Sequence, residues 1–281
     1  MKPLLDAAII GSGPNGLAAA VALAREGYAV TVYESAPEPG GGARTRELTL
    51  PGFQHDVCSA IHPMGAVSPF FRTLELERHG LEWIHPDLPL AHPLDGGRAV
   101  VMDRSIEATA TQFSAGSALA YRRLFAPLLP KFGDLLEDLL APPRVPRHPF
   151  SMMAFGLRIL PSTLAAARSW FDDEGARALF AGNAAHSVLP LDRSISTQAI
   201  GLMLMLAGHA GGWPIAKGGS ATIVAALVAE LERFGGKIET GRRIDSLCDL
   251  PPARAYLFDT TPSALVRIAG CATVGPIRVA P

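Results

Sequence analysis

Cysteine is scarce: the chain has three, at positions 58, 248 and 271, an odd number with no CxxC spacing. That removes a disulfide framework, a structural zinc site and a redox dithiol from consideration. Charge is thin as well, at 18% of residues, and 25 basic against 26 acidic side chains leave a net charge of −1. There is no polybasic stripe to follow a nucleic acid backbone and no acidic tail. Neither HExxH nor GxSxG occurs, so zinc hydrolysis and the α/β-hydrolase nucleophile lack their carriers. Long hydrophobic runs are missing too. The most apolar later run, Ile200–Ala207, is far too short to span a bilayer, and the early run Leu4–Ile10 is broken by Asp6 and reads as a strand. What the chain has in quantity is apolar residues, 48%, enough to exclude intrinsic disorder, together with 28 glycines and 24 prolines that punctuate the apolar segments.

The first 34 residues carry the clearest pattern. Asp6–Ile10 is a short apolar run of the kind found in buried parallel strands. Gly11-Ser-Gly-Pro-Asn-Gly16 follows, then the Ala/Leu-rich stretch Leu17–Glu26, which closes at Gly27, then the β-branched Ala29–Glu34. Strand, glycine turn, helix and strand within about thirty residues make a βαβ unit. In that context GxGxxG has a mechanical reading. Gly11 allows the tight turn, Gly13 the approach of a pyrophosphate, and Gly16 the packing of helix on strand. The helix N-terminus offers free N–H groups to the phosphates. Glu34, at the end of the second strand, is placed to accept hydrogen bonds from both ribose hydroxyls and to repel a 2′-phosphate. FAD and NAD share the ADP half that such a unit binds. The discriminating feature is the next loop, Gly40-Gly41-Gly42-Ala43-Arg44, which can pass a longer cofactor's diphosphate with Arg44 as a cation.

These segments resemble a known family. The runs Ala8–Ala20, Val32–Glu34 and Gly40–Thr45 look like the start of a phytoene dehydrogenase-like flavoprotein of the carotenoid/retinoid oxidoreductase family. Gly211–Ser220 and Leu257–Pro262 are similar to that family's return from the substrate domain to the FAD domain. The resemblance implies an α/β fold. A Rossmann-like FAD-binding domain is built from both chain ends, with a mainly helical (α+β) substrate domain inserted. By position it implies FAD contacts from Ser12, Gly13, Glu34, Gly42 and Arg44, joined by Gly11, Gly16 and Gly41 of the two loops. It also implies backbone hydrogen bonds to adenine from a strand containing Ile244. It further implies hydride transfer from a small apolar substrate to flavin. The family's Gly-rich C-terminal FAD segment has no counterpart here, so the fold is expected to be C-terminally incomplete. Two other readings are a non-catalytic or inactive FAD-binding module and a NAD-dependent dehydrogenase.

The expected organisation is FAD domain over 1–65, inserted domain over 66–209, FAD domain again over 210–270, and an irregular tail over 271–281. Further expectations are a hairpin of Arg46–Leu50 with Phe53–Val57, a helix over Ser68–His79, and a helical stretch to His209 divided at Pro127 and Pro130. A helix over Ser220–Phe234 and strands at Lys237–Thr240 and Ala255–Asp259 complete the pattern. The last strand is expected at a sheet edge, which invites self-association. Packing in the helical domain is the commoner use of an amphipathic segment such as 121–140, with peripheral membrane contact the other. No metal ligand set is expected, no catalytic residue is singled out, and the expected location is cytoplasmic or membrane-associated. His209 is expected to cap a helix end or to face the flavin.

Overall fold

The computed structural model describes residues 4–270, so the expected 271–281 tail lies outside the described residues. The chain divides into two compact units. One comprises residues up to Ala60, Leu74–Glu82 and the chain from Ala216; the other comprises Ile61–Thr73 and Trp83–Ile215.

The first unit is built on a four-stranded sheet. Strand β1 (Leu5–Ile10) leads into helix α1 (Pro14–Arg25), which returns to strand β2 (Val30–Tyr33). After the short hairpin β3 (Thr45–Glu47) and β4 (Gln54–Asp56) come helix α2 (Ala221–Arg233), β5 (Lys237–Glu239), β6 (Ala253–Phe258) and helix α3 (Pro262–Ala269). The sheet order is β6-β1-β2-β5, with every pairing parallel. All-parallel strands are covered on both faces, and β1 from Ala7 and β2 throughout are accordingly buried in consecutive positions. Ala8 and Ile10 face Tyr33, Ile244, Leu250 and Ile268. The alternation of strand side chains sends Ala7 and Ile9 to the opposite face, the side on which α1 packs against α2. Pro14 opens α1, where its missing N–H costs nothing. The hairpin organises the start of α2: Asp56 Oδ1 accepts from the Ser220 N–H at 2.7 Å and Thr45 Oγ1 from the Ala221 N–H at 3.0 Å.

The second unit is mainly helical, with one antiparallel hairpin, Leu90–Pro93 with Ala99–Met102. Its helices start where the sequence supplies caps: Ser114, Ser162 and Asp173 each accept a backbone N–H of the first turn. The prolines divide the 115–139 region as expected, into a helix Ala115–Phe125, a 3-10 turn Leu129–Lys131 and a helix Phe132–Leu139. The apolar side of that region, Leu124, Phe125, Leu128, Phe132 and Leu135, is buried in the unit's own core with Phe155, Phe171 and Phe180. No helix among the described residues is long and apolar enough to cross a membrane.

Three expectations differ from the structure. Residues 68–79 form two 3-10 turns, Phe71–Thr73 and Leu76–His79, in place of one helix; Glu75 between them has φ of 51°, which interrupts any α-helical run. The β3–β4 hairpin is shorter than expected because residues 48–53 are exposed and form the turn itself. Ile244 is in no strand: β5 ends at Glu239, and the chain from Gly241 to Ile244 is irregular. The break follows Gly241, which has φ of 66° and whose N–H is drawn to the Ala36 carbonyl at 2.7 Å instead of into a ladder.

Candidate functional site

Register brings the site together. Ile10 pairs with Tyr33 on one side and Phe258 on the other. The next residue of each strand, Gly11, Glu34 and Asp259, therefore emerges at one level on the carboxyl edge of the sheet. This is the edge at which open parallel sheets bind ligands.

Gly11 has φ of 101°, and a Cβ there would lie 2.2 Å from the Asp259 carbonyl oxygen. Only glycine permits this turn and this approach. A Cβ on Gly13 would lie 2.5 Å from Asp259 Oδ2, and one on Gly16 would lie 2.6 Å from the Gly11 carbonyl oxygen and 2.8 Å from Asp259 Cβ. Asp259 is itself fixed at two points. Its N–H donates to the Ile10 carbonyl at 2.8 Å, and its Oδ2 accepts from the Gly16 N–H at 2.9 Å. The carboxylate thus meets one of the N–H groups that the first turn of α1 cannot satisfy internally.

Glu34 is 9% exposed. Its Oε2 accepts from the Ser12 N–H at 3.0 Å and the Ser12 hydroxyl at 2.6 Å, and its Oε1 from the Ala36 N–H at 2.8 Å and the Ser35 hydroxyl at 3.2 Å. Burial raises the carboxyl's pKa, but the Ser12 hydroxyl, the Ala36 and Ser12 N–H groups and the Ser35 hydroxyl outweigh it. They hold the group below its ordinary value. All four acceptor positions of the carboxylate are engaged within the chain, so a ribose hydroxyl would have to exchange with one of these donors.

The second glycine loop packs onto the first. The Gly40 N–H donates to the Ser12 carbonyl at 3.0 Å, and a Cβ on Gly41 would lie 3.2 Å from the Gly13 Cα. Arg44 Nε donates to the Gly41 carbonyl at 2.7 Å, so the guanidinium is held at its own loop. Gly42 lies beside Cys58, whose Sγ is 3.8 Å from where a Gly42 Cβ would be.

Beyond Glu34 the edge opens into a cavity of about 150 Å³ lined by Tyr33, Glu34, Ile244, Thr260 and arginines 242, 243 and 267. That is below the ~300–1,000 Å³ of whole small-molecule sites, and it suits one end of an extended ligand. Ile244 takes part as a buried wall. Arg242 stacks over the Tyr33 ring at 4.8 Å and pairs with Glu239, while Arg243 pairs with Asp245 at 3.0 Å.

Residues 9–74 match the NAD(P)-binding Rossmann-like domain family. A limonene dehydrogenase subunit of Castellaniella defragrans is 34% identical over 102 residues, 36% of this chain and 18% of that protein. Pyridine nucleotide-disulfide oxidoreductase domain-containing protein 2 of Rattus norvegicus is 40% identical over 83 residues, 29% of this chain and 14% of that protein. The matched stretches are thus a small part of these relatives' lengths. Among solved structures, a putrescine oxidase redesigned in its cofactor binding is similar with a TM-score of 0.62 at 19% identity, over 95% of this chain and 60% of that one. A Pyrococcus furiosus protein gives 0.60 at 16% identity, over 94% and 61%. At these identities the likeness concerns the fold, a Rossmann-like α/β architecture.

The residues fit the ADP half of a dinucleotide. The three glycines leave no room for a side chain, the α1 N-terminus holds an acidic oxygen, and Glu34 lines the cavity beside them. Asp259 was not among the residues singled out from sequence. Its signal is positional, a carboxylate directly after the apolar strand that lies next to the glycine turn. His209 belongs to the helical unit. It is buried there, where the Tyr121 hydroxyl bonds its Nε2 at 2.8 Å and its Nδ1 meets the Arg104 carbonyl at 3.0 Å. Among the described residues no group of His, Cys, Asp and Glu is arranged to hold a metal ion.

Proposed function

We propose that this chain is the dinucleotide-binding part of an FAD-dependent oxidoreductase of the phytoene dehydrogenase-like kind. The observation that carries the reading is the convergence of two glycine loops, Gly11–Gly16 and Gly40–Arg44, on the N-terminus of α1 with Glu34 beside them. A single glycine turn would serve NAD equally well. The second loop, packed against Gly13, supplies the further contact surface that a longer flavin dinucleotide uses.

Bound FAD would supply a hydride acceptor for a C–H bond of an apolar substrate, and the cofactor carries that chemistry. The chain's own residues bind and orient. The Gly13–Gly16 turn and the α1 N-terminus hold the pyrophosphate, Glu34 with its Ser12 and Ser35 donors fixes the ribose end, and Ile244 and Tyr33 wall the adenosine cavity. Similarity to a limonene dehydrogenase subunit supports a hydrocarbon-like substrate.

The test is visible flavin absorbance of the purified chain and its retention through gel filtration, with Glu34→Ala alongside. Flavin on the wild type and its loss from the variant support the reading. A colourless chain that binds NAD, and whose binding is lost with Glu34, would favour the nicotinamide alternative. A chain that binds neither would sink the cofactor assignment.

A further inference from the structure

We infer that Asp259 is an internal occupant of the phosphate position, and that its carboxylate sets how tightly the site takes a dinucleotide. This rests on the reading of the α1 N-terminus as the phosphate seat. The three glycines of the motif, Gly13 at the pyrophosphate approach among them, all close on this one residue. Gly11 meets its carbonyl, Gly13 its Oδ2, and Gly16 its Cβ and Oδ2. The Gly16 N–H, one of the donors a phosphate oxygen would use, is already bonded to Oδ2 at 2.9 Å. An oxygen of a bound pyrophosphate at the same donor would fall within van der Waals contact of the carboxylate. Two anions at such separation repel strongly even where solvent screens them.

Entry of the cofactor therefore requires the Asp259 side chain to leave α1. The Gly16 N–H exchanges a carboxylate for a phosphate oxygen, and the displaced carboxylate must find water. That exchange subtracts from the affinity of any ligand carrying phosphate at this position. It leaves a ligand without phosphate unaffected. The backbone of Asp259 need not move, because its N–H bond to the Ile10 carbonyl belongs to the sheet edge and not to the carboxylate. Asp259→Asn keeps an oxygen able to accept from Gly16 while removing the charge, so the turn retains its cap. Asp259→Ala vacates the position outright.

The experiment is titration calorimetry on the whole chain, wild type and both variants, with FAD, inorganic pyrophosphate and adenosine as separate probes. We expect FAD and pyrophosphate to bind at least tenfold more tightly to Asp259→Asn or Asp259→Ala than to the wild type, and adenosine to bind all three alike. Unchanged or weaker pyrophosphate binding in both variants would overturn the role of Asp259, whatever the fate of FAD. Pyrophosphate binding gained in the variants with no FAD binding anywhere would uphold Asp259 as the occupant and overturn the flavin reading instead. Circular dichroism of the two variants, matching the wild type, separates these outcomes from loss of fold.

Discussion

The sheet unit brings the buried polar groups Ser12 and Glu34 together at one edge, and the helical unit distributes its own through a packed core. In the first, Ser12 and Glu34 bond each other beside the glycine turn, while Ser220 precedes helix α2 and Glu230 lies within it, paired with Arg233. In the second, Thr109, Ser117, Asn183 and His209 and the bonded pair Thr163–Thr197 lie at different points of a core dominated by phenylalanine and leucine. The acceptor oxygens of Asn183 and Gln198 and the Trp213 N–H there have no partner among the described residues. The helix Pro149–Ile159 exposes Phe150, Met153 and Leu157 along one side. The difference follows from architecture. Parallel strands deliver backbone and side chains to a single edge at matched register, so polar chemistry concentrates there. Helices packed on one another have no such edge, and a polar group is kept wherever a local bond satisfies it.

If that contrast is right, the two units fail differently when disturbed. The largest effect is expected from Phe180→Ala. Phe180 is fully buried between Trp170 and Phe171, with ring centroids at 5.9 and 5.7 Å. Truncating such a ring costs about 3–5 kcal/mol. The three tryptophans, 83, 170 and 213, all belong to the helical unit, so urea unfolding followed by tryptophan fluorescence reads that unit directly. The variant should unfold at markedly lower urea while still binding ADP in the absence of denaturant. Loss of ADP binding at zero urea would break the comparison.

The glycines of the sheet unit should separate stability from binding. Gly11→Ala forces a side chain onto a positive φ and against a backbone oxygen, and should destabilise by about 2–3 kcal/mol. Gly13→Val sets its Cβ first against the movable end of Asp259. It should leave circular dichroism and melting nearly unchanged while removing dinucleotide binding. Equal melting losses in both variants would show the turn to be structural throughout.

Much of this unit was legible in the sequence, and the reason is physical. The strand–glycine–helix–strand order of residues 6–34 constrains the backbone so tightly that residue types report position. Glu34 and the Gly40–Arg44 loop were placed next to the turn on that ground. What escaped was long-range. That Asp259 lies against Gly13 depends on which strand pairs with β1, and no local pattern encodes a pairing between segments so far apart in the chain. Ile244 was assigned to a strand by its spacing in the family resemblance, but Gly241 and its bond to Ala36 break the ladder first. In the helical unit, periodicity and prolines marked helices and breaks. The bonding of His209 to Tyr121 was invisible because it joins side chains 88 positions apart.

A smaller effect is expected at Glu34. Replacing it by alanine leaves the Ser12 and Ala36 N–H groups without their acceptor, and bonds to a charged group contribute about 1.5–3 kcal/mol. Loss of FAD affinity by tenfold or more should accompany a melting shift of the same order. The pH dependence has a definite sign. Because the folded pKa lies below the ordinary value, the carboxylate's contribution is complete above the unfolded pKa, about 4.3, and is lost as pH falls through the lower folded value. Glu34→Gln should therefore differ most from the wild type near neutrality and converge with it in acid. A constant difference across that range would remove the charged network from the account.

The smallest effect is expected from Tyr121→Phe in the helical core. Its hydroxyl is buried and sits 2.8 Å from His209 Nε2. The Arg104 carbonyl can only accept, so His209 Nδ1 carries the proton toward it and Nε2 accepts from the tyrosine. Burial lowers the imidazole pKa, with the Arg104 and Asp103 backbone groups and the Asp103 charge opposing it, so the neutral tautomer is the one stored in the core. The phenylalanine keeps the ring contacts with Phe125 and Phe113 and deletes the hydroxyl's bonds to His209 and to the Thr109 side chain, which leaves a buried nitrogen lone pair unmatched. That combination costs about 1–2 kcal/mol. Tryptophan-detected unfolding should shift by that amount, with FAD and ADP affinities unchanged. The depressed imidazole pKa adds its own signature in both proteins. Stability is full above the unfolded value near pH 6.5 and declines as pH falls toward the folded one. A change in dinucleotide affinity in Tyr121→Phe would tie this core pair to the cofactor site and undo the separation of roles between the two units.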